Sequence, residues 1–341
     1  MKNVFYTLLV IAALSSCSQE EVVSTIERTP ISFGNVFVEK STSSRADGDA
    51  ATTTPTGPVD FTYSNSYFDE FYVFGTVTGN TNNTVKIYDK NKVSGVINGA
   101  WNCDVTQYWI PRSKYEFMAL AGIGSNELDY NSGLMPVSIK YNLASQTDLL
   151  YATASRDLKT HPEQEKEPVD FTFDHLLSKV QFTFINEFPE ASGVQLKVSD
   201  IKITNAPTEG TYQFSEGTWT IDASAGRGEL NFSSGGNNQW ILPNRKGYSD
   251  KVGLLIPAKS PQTLCIYFKV YNNKTVDKPT EFDDLSVDIK LQPGHSYNLT
   301  ATLNAQNVSG VLPITFQITS NDWSSDLNDD GEDDNPEVKY P

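Results

Sequence analysis

The sequence is poor in the residues that build reactive centres. Three Cys and three His are scattered over 341 residues, which makes a multi-ligand transition-metal site hard to assemble. Basic residues are scarce as well: 26 Lys+Arg stand against 42 Asp+Glu, a formal charge of −16. A chain this acidic is unsuited to nucleic-acid phosphates, whose affinity comes from Lys and Arg. It is equally unsuited to electrostatic docking on anionic lipid. Helical periodicity is almost missing, no internal repeat is present, and no Gly-x-Ser-x-Gly elbow or cofactor motif occurs. Catalysis by carboxylates alone stays open on composition. Aromatics, by contrast, are plentiful (16 Tyr, 18 Phe, 5 Trp), while only 20% of residues are charged. That mixture describes a folded chain, and its length suits two domains.

The N-terminus reads as an address. Met1-Lys2-Asn3 is a short n-region with one positive charge, and Val4 through Ala13 is an apolar h-region interrupted only by Thr7. This is the secretory signal layout, too short to span a bilayer as a stable helix. The following Leu14-Ser15-Ser16-Cys17 resembles the bacterial lipobox, in which the Cys thiol is acylated before cleavage. Acyl chains on Cys17 would hold the protein on a membrane without a transmembrane helix. The alternative is an ordinary signal peptide with an incidental Cys. Ser18-Gln19-Glu20-Glu21 resembles the export signal of surface lipoproteins in Bacteroides-like anaerobes; otherwise it is a solvated tether. Cys103 and Cys265 lie far apart among apolar neighbours, so buried free thiols are expected in place of a disulfide framework.

Beyond the signal the dominant pattern has period two. Ile31-Ser-Phe33-Gly-Asn-Val-Phe37-Val38 alternates as a strand, and Ser41 to Pro58 is a Ser/Thr/Gly/Pro-rich exposed loop. Strands are expected at Phe71–Val77, Val85–Tyr88, Tyr108–Ile110, Tyr115–Ala119, Val169–His175 and Val180–Phe184. In the second half they are expected at Val198–Ile203, Thr211–Phe214, Thr218–Ile221, Leu254–Ile256, Leu264–Tyr271, Tyr297–Leu303 and Ile314–Ile318. Gly79-Asn80 and Asn98-Gly99 are hairpin signals. Leu143–Ala154 and Asp174–Val180 have room for a turn or two of helix. Short strands at spacings near ten residues indicate all-β sandwiches with Greek-key connections. The expected layout is a signal peptide (1–17), a tether with a removable first strand (18–45), an N-terminal sandwich (46–188), a C-terminal sandwich (189–325) and an acidic tail (326–341).

Several segments in order resemble the fimbrillin family, the pilin and pilin-like lipoproteins of gut and oral anaerobes. They are Ile31-Ser-Phe33 with Ser44-Arg45-Ala46, Gly99-Ala-Trp101, Tyr108-Trp109-Ile110-Pro111 and Asp148-Leu-Leu-Tyr151-Ala152. Val169-Asp-Phe-Thr-Phe173-Asp-His175-Leu-Leu-Ser178-Lys179-Val180 is the nearest match, and Pro293-Gly294-His-Ser-Tyr297 and Ile314-Thr-Phe316 with Trp323 complete the series. The resemblance implies two tandem transthyretin-like β-sandwiches and a structural role, as stalk or tip of a fimbrium. It also implies strand exchange. An Arg-specific surface protease would cut at Arg45-Ala46, removing the anchor and the first strand with Ile31 and Phe33. A strand from another subunit would then fill the groove, gaining main-chain hydrogen bonds and apolar burial together. The candidate donor is Ile314-Thr-Phe316-Gln-Ile318, whose spacing is similar to Ile31 and Phe33; the alternative is an ordinary final strand of its own sandwich. A donor nearer the end would be Val338-Lys339-Tyr340. The implied location is the outer-membrane surface as a lipoprotein, then the fimbrium, with other subunits and a surface receptor as partners and no nucleic acid or cofactor.

Other features have plainer readings beside the functional one. Asp326 to Glu337 matches an EF-hand loop pattern, but only four residues follow, and a solvated acidic tail accounts for it; no metal site is assigned. Between Asp322 and Pro341 lie eight acidic residues and one Lys, so much of the acidity belongs to this tail. His175 beside Asp174 lacks any accompanying nucleophile motif, so a packed, hydrogen-bonded His is expected and no catalytic residue is assigned. Trp101, Trp109, Trp219 and Trp240 would serve a sugar-binding surface if exposed, or the core if not. The rival function is therefore a monomeric surface lipoprotein that binds glycans through aromatic side chains. Trypsin is expected to cut the folded precursor first after Arg45, read by mass spectrometry of the early fragments; a first cut elsewhere removes the case for that loop as the processing site.

Overall fold

The computed structural model describes residues 28–38, 69–95, 101–221, 224–233, 239–275 and 278–323. In chain order the first strands are β1 (Phe33–Val38), β2 (Glu70–Thr78), β3 (Thr84–Ser94), β4 (Asn102–Cys103), β5 (Lys114–Ala121), β6 (Glu127–Asp129), β7 (Ser138–Asn142), β8 (Leu150–Asp157) and β9 (Val169–His175). Then come β10 (Ser178–Asn186), β11 (Leu196–Pro207), β12 (Glu209–Gln213), β13 (Thr218–Thr220), β14 (Arg227–Asn231) and β15 (Arg245–Tyr248). The chain ends with β16 (Gly253–Leu255), β17 (Gln262–Asn272), β18 (Thr280–Ile289), β19 (His295–Leu303), a one-turn helix α1 (Ala305–Val308) and β20 (Phe316–Asp322).

The protein is all-β, as its alternating sequence indicates. Seven strands form one sheet in the order β1-β9-β8-β5-β2-β3-β4. Its interior is aromatic: β9 points Val169, Phe171 and Phe173 inward and Asp170, Thr172 and Asp174 outward. In the second half, one sheet runs β15-β10-β19-β20, with β16 also on β10, and a second runs β14-β11-β17-β18. The two share a core that includes Phe182, Phe184, Ile203, Phe232, Ile266, Phe268 and Leu299.

A fourth sheet, β13-β12-β7-β6, takes strands from both halves of the chain. Tyr212 of β12 lies opposite Ile139 of β7. This sheet covers the outer face of the seven-stranded one, burying Phe74, Met118 and Leu120 with Ile139, Tyr141, Tyr212 and Trp219. That explains β5, whose burial alternates from Lys114 to Phe117 and is then continuous through Ala121. A strand buried on both faces loses its period-two signature.

β10, which precedes the bend at Phe188-Pro189, pairs with β15, β16 and β19 of the second half. The chain passes between the halves at Leu176-Leu177. There the Leu176 amide donates to the Leu149 carbonyl (2.9 Å), and Trp219 Nε1 donates to the Leu176 carbonyl (2.6 Å). Ser178 Oγ donates to the Gln292 carbonyl (2.7 Å) and the Gly294 amide to the Leu177 carbonyl (2.9 Å).

Leu143–Ala154 holds one turn of 3-10 helix, at Leu143–Ser145, and then enters β8. Two local expectations are corrected. Asp174–Val180 is two strand ends with no helix, because its leucines fill the shared core. Tyr108–Ile110 is an extended connection, its regular pairing limited to one bridge from Tyr108 to Pro30. Gly79 does open the β2–β3 turn, with Asn82 at φ 57°; Asn98-Gly99 lies outside the described residues. Cys103 and Cys265 are free thiols and half-buried.

The shared core predicts an alkaline limit. Burial, followed by the charges of Tyr151 and Asp174, pushes the Tyr212 phenol up to about 12, and burial raises Tyr141 and Tyr151 as well. The native state thus keeps protons that an unfolded tyrosine releases near pH ~10. Their contribution to stability is whole below that pH and disappears as pH rises through 12. Thermal melts from pH 8 to 12 should show this decline, and Tyr212→Phe should flatten it.

Candidate functional site: the seat of the first strand

The first strand completes the N-terminal sheet into a ring. On one side β1 runs parallel to β9, pairing Phe33 with Val169, Val36 with Phe171, Phe37 with Thr172 and Val38 with Phe173. On the other side, the same segment bridges Phe33 to Trp101 and Pro30 to Tyr108. The Ile31 amide donates to the Gln107 carbonyl (2.8 Å), and the Trp109 amide to the Thr29 carbonyl (3.0 Å). Residues 29–38 therefore join the two edges of the sheet, those of β9 and of the chain around β4.

The side chains explain why these residues hold that place. Phe33 is 2% exposed, at the centre of a ring cluster with Phe71 (6.2 Å between centroids), Tyr88 (5.7 Å), Phe117 (6.4 Å) and Phe171 (5.8 Å). Ile31 and Val38 are buried beside it. At about 1.5–3 kcal/mol for each such side chain, removing the segment would expose a deep apolar floor and two unpaired backbone edges. Gly34 sits at the irregularity between Phe33 and Val36. A Cβ there would overlap the Asp170 carboxylate and the Pro168 ring. The space left by glycine lets the Asn35 amide donate to Asp170 Oδ1 at 2.6 Å.

The candidate donor segment lies at the far end of the second half. Ile314 is buried in that core, and Phe316 packs edge-on against Phe182 (5.8 Å) and Phe268 (6.2 Å). Ile318 is 39% exposed. β20 pairs antiparallel with β19 of its own chain, Phe316 opposite Ala301 and Asp322 opposite His295. It is the last strand of its sheet, and Gln317 through Asn321 are exposed. Cys17, Arg45 and Ala46, the tail from Asp326 and the Val338–Tyr340 segment lie outside the described residues.

Of the tryptophans considered for sugar stacking, Trp109 and Trp219 are buried. Trp101 packs edge-on against Phe71 at 5.2 Å. Trp240 is half-buried, with the Lys197 ammonium 5.5 Å from its ring. His175 closes β9 and is buried. Its Nδ1 lies 2.7 Å from Asp148 Oδ2, and its ring stacks on Trp323 at 4.2 Å. The approach of Asp148 and Trp323 to His175 was not legible, although each residue stands in one of the segments carrying the resemblance. Among the described residues, no group of three or more His, Cys, Asp or Glu is placed to hold a metal ion.

Seat and sheets together define an all-β protein whose N-terminal unit is closed by its own first strand. The fimbrillin-like family profile matches residues 58–323, and the chain belongs to that family. Among solved structures, a fimbrial protein from Bacteroides vulgatus is similar over 74% of this chain and 93% of that one, at 16% identity and a TM-score of 0.52. A putative cell adhesion protein from Bacteroides ovatus matches at 18% identity over 88% and 99%, with a TM-score of 0.49. The fimbrial anchor protein Mfa2 from Porphyromonas gingivalis matches at 11% identity over 86% and 98%, with a TM-score of 0.36. At 16% identity the Bacteroides vulgatus likeness speaks to the fold alone. No curated protein matches.

Phe33→Ala is expected to lower stability by about 3–5 kcal/mol, the usual cost of emptying a buried aromatic site. Gly34→Val should destabilise the same seat by displacing Asp170 and Pro168. Denaturant melts of both variants check this; wild-type midpoints would refute the role assigned to β1.

Proposed function

We propose that this chain is a structural or adhesive subunit, stalk or tip, of a cell-surface fimbrium, assembled by donor-strand exchange. The precursor is exported as a lipoprotein acylated on Cys17, and an Arg-specific surface protease cuts between Arg45 and Ala46. Loss of the segment before the cut removes anchor and β1 together. The single observation that carries this reading is the placement of β1: a terminal segment fills an aromatic seat and completes two sheet edges. An isolated groove of that kind is unstable, and a strand from another subunit satisfies it as β1 does.

The strand directions support a head-to-tail arrangement. β9 and β1 begin at the end of the N-terminal sheet remote from the Leu176-Leu177 junction, because β9 finishes there. β10 and β19 both start near the junction, so α1 and Phe316 lie at the remote end of the second half. The groove thus opens at one end and the candidate donor Ile314–Ile318 leaves from the other. Tyr108 and Ile110 are exposed beside the groove, and Val311 and Leu312 are exposed just before the donor. A heterologous contact between such ends propagates into a filament.

Electron microscopy of the purified precursor before and after limited trypsin treatment tests the reading. Fibres or SDS-resistant ladders are expected only after cleavage, and Arg45→Ala should prevent them. A precursor carrying Arg45→Ala that polymerises normally would overturn the processing step.

A further inference from the structure

We infer that the outer face of the second half carries a binding site for neutral glycans, centred on Tyr267. The inference goes beyond the fimbrial reading and does not depend on strand exchange. β17 alternates along its length. Leu264, Ile266, Phe268 and Val270 fill the core, while Cys265, Tyr267, Lys269 and Tyr271 lie on the other face, half-buried. The two tyrosines belong to none of the apolar clusters of the described residues. Their rings stand on the solvent side of the sheet and add nothing to the core.

Two irregularities bracket Tyr267. In β11, Asp200 and Ile201 stand opposite the single residue Phe268, since Ser199 pairs with Lys269 and Lys202 with Tyr267. In β18, Asp283 and Asp284 stand opposite Tyr267 alone, since Leu285 pairs with Ile266 and Phe282 with Phe268. Bulges of this kind re-aim side chains and are frequent beside sites. Asp200 holds φ 55°, a left-handed conformation uncommon outside glycine. Both Asp200 and Asp283 reach the rim of one open groove of about 380 Å³ over Tyr267. Small-ligand sites span about 300–1,000 Å³.

The chemistry of the groove selects its ligand. Lys202 lies 3.2 Å from Glu229, and Lys269 lies 3.2 Å from Asp200 and 3.6 Å from Glu281. The lining sets the two ammoniums of Lys202 and Lys269 against the carboxylates of Asp200, Glu229 and Asp283. Such a balance offers no positive field to an anion, and the chain as a whole, at −16, repels one. An apolar ligand would strip water from these charges without replacing its hydrogen bonds. A neutral sugar answers both conditions. Its hydroxyls donate to the carboxylates and accept from the ammoniums, and its C–H face lies on the phenol ring. The Lys202 and Lys269 ammoniums stand 5.8 and 6.0 Å from the centre of the Tyr267 ring, at the limit of a cation–π contact and too far to cover it. Over Tyr271, Lys197 comes to 4.5 Å. Tyr267 is therefore the stacking ring.

The groove lies on the sheet β14-β11-β17-β18, whereas β1 belongs to the N-terminal sheet and β20 to the other sheet of the second half. Assembly through the seat and the donor leaves it open on every copy. Repeated copies gain by avidity what one shallow site lacks.

A glycan microarray probed with the labelled, uncut full chain tests the site. Binding is expected to neutral oligosaccharides, with their sialylated or uronate-bearing counterparts bound no more tightly. Tyr267→Ala should lower the signal at least about tenfold, the loss of one good contact. Asp200→Gly suits the left-handed backbone, removes the carboxylate and should weaken binding to a similar degree with an unchanged melting temperature. If Tyr267→Ala does not fold, Asp200→Gly decides alone. Wild-type binding by the folded variants overturns the site, as does binding of no neutral glycan. Binding to chitosan or polygalacturonate alone overturns it too, since charge would then be what is read. Fibre formation after trypsin is scored separately, so that loss of the glycan and loss of assembly are different results.

Discussion

A strand in a closed sheet needs two neighbours, and in the N-terminal sheet two strand edges share one. Both the edge of β9 and the chain around Trp101–Trp109 find their partner in residues 29–38. The parallel register of Phe33 on Val169 thus fixes more than a strand. It sets which rings surround Phe33, where β9 can lie, and what the junction after His175 rests on. Gly34 is the local condition for all of this, since only its missing Cβ lets the backbone approach Asp170 and Pro168 closely enough.

The alternation in Val169–His175 and Ile31–Val38 was readable because each strand shows one face to a core and one to water. The same logic failed where both faces are covered. Met118 and Leu120 look like an extension of a hydrophobic run, and nothing in them announces that a sheet from the other half lies on top. The Asp174–Val180 segment carried a weak helical signal because two leucines and His175 are all buried, and a continuous buried run has no period. β18 was unreadable for another reason: Phe282 and then Leu285, Val287 and Ile289 all face the core, but an irregularity between Phe282 and Leu285 shifts the phase and breaks the alternation.

The candidate site divides in the same way. Ile31 and Phe33 were legible as a strand, and their aromatic surroundings follow from the wealth of Phe and Tyr in strands that face inward. The contribution of Thr29 and Pro30, which extend the pairing upstream, was not, because Pro interrupts any strand pattern. His175 could be identified as a hydrogen-bonded core residue, yet its partners, Asp148 and Trp323, are separated from it by 27 and 148 positions. Long-range pairing of that kind leaves no periodic trace.

The β10–β19 pair has a mechanical consequence. Its nine residue pairs run parallel, from Ser178 with His295 to Asn186 with Leu303. The chain enters β10 from the junction and leaves β19 at the opposite end. A pull between the N-terminal sheet and the start of β20 therefore drags these two strands past each other lengthwise. All their hydrogen bonds share the load and must break together; pulled from one end, they would open one at a time. In the filament proposed above, traction along the axis would load the molecule in this shear direction.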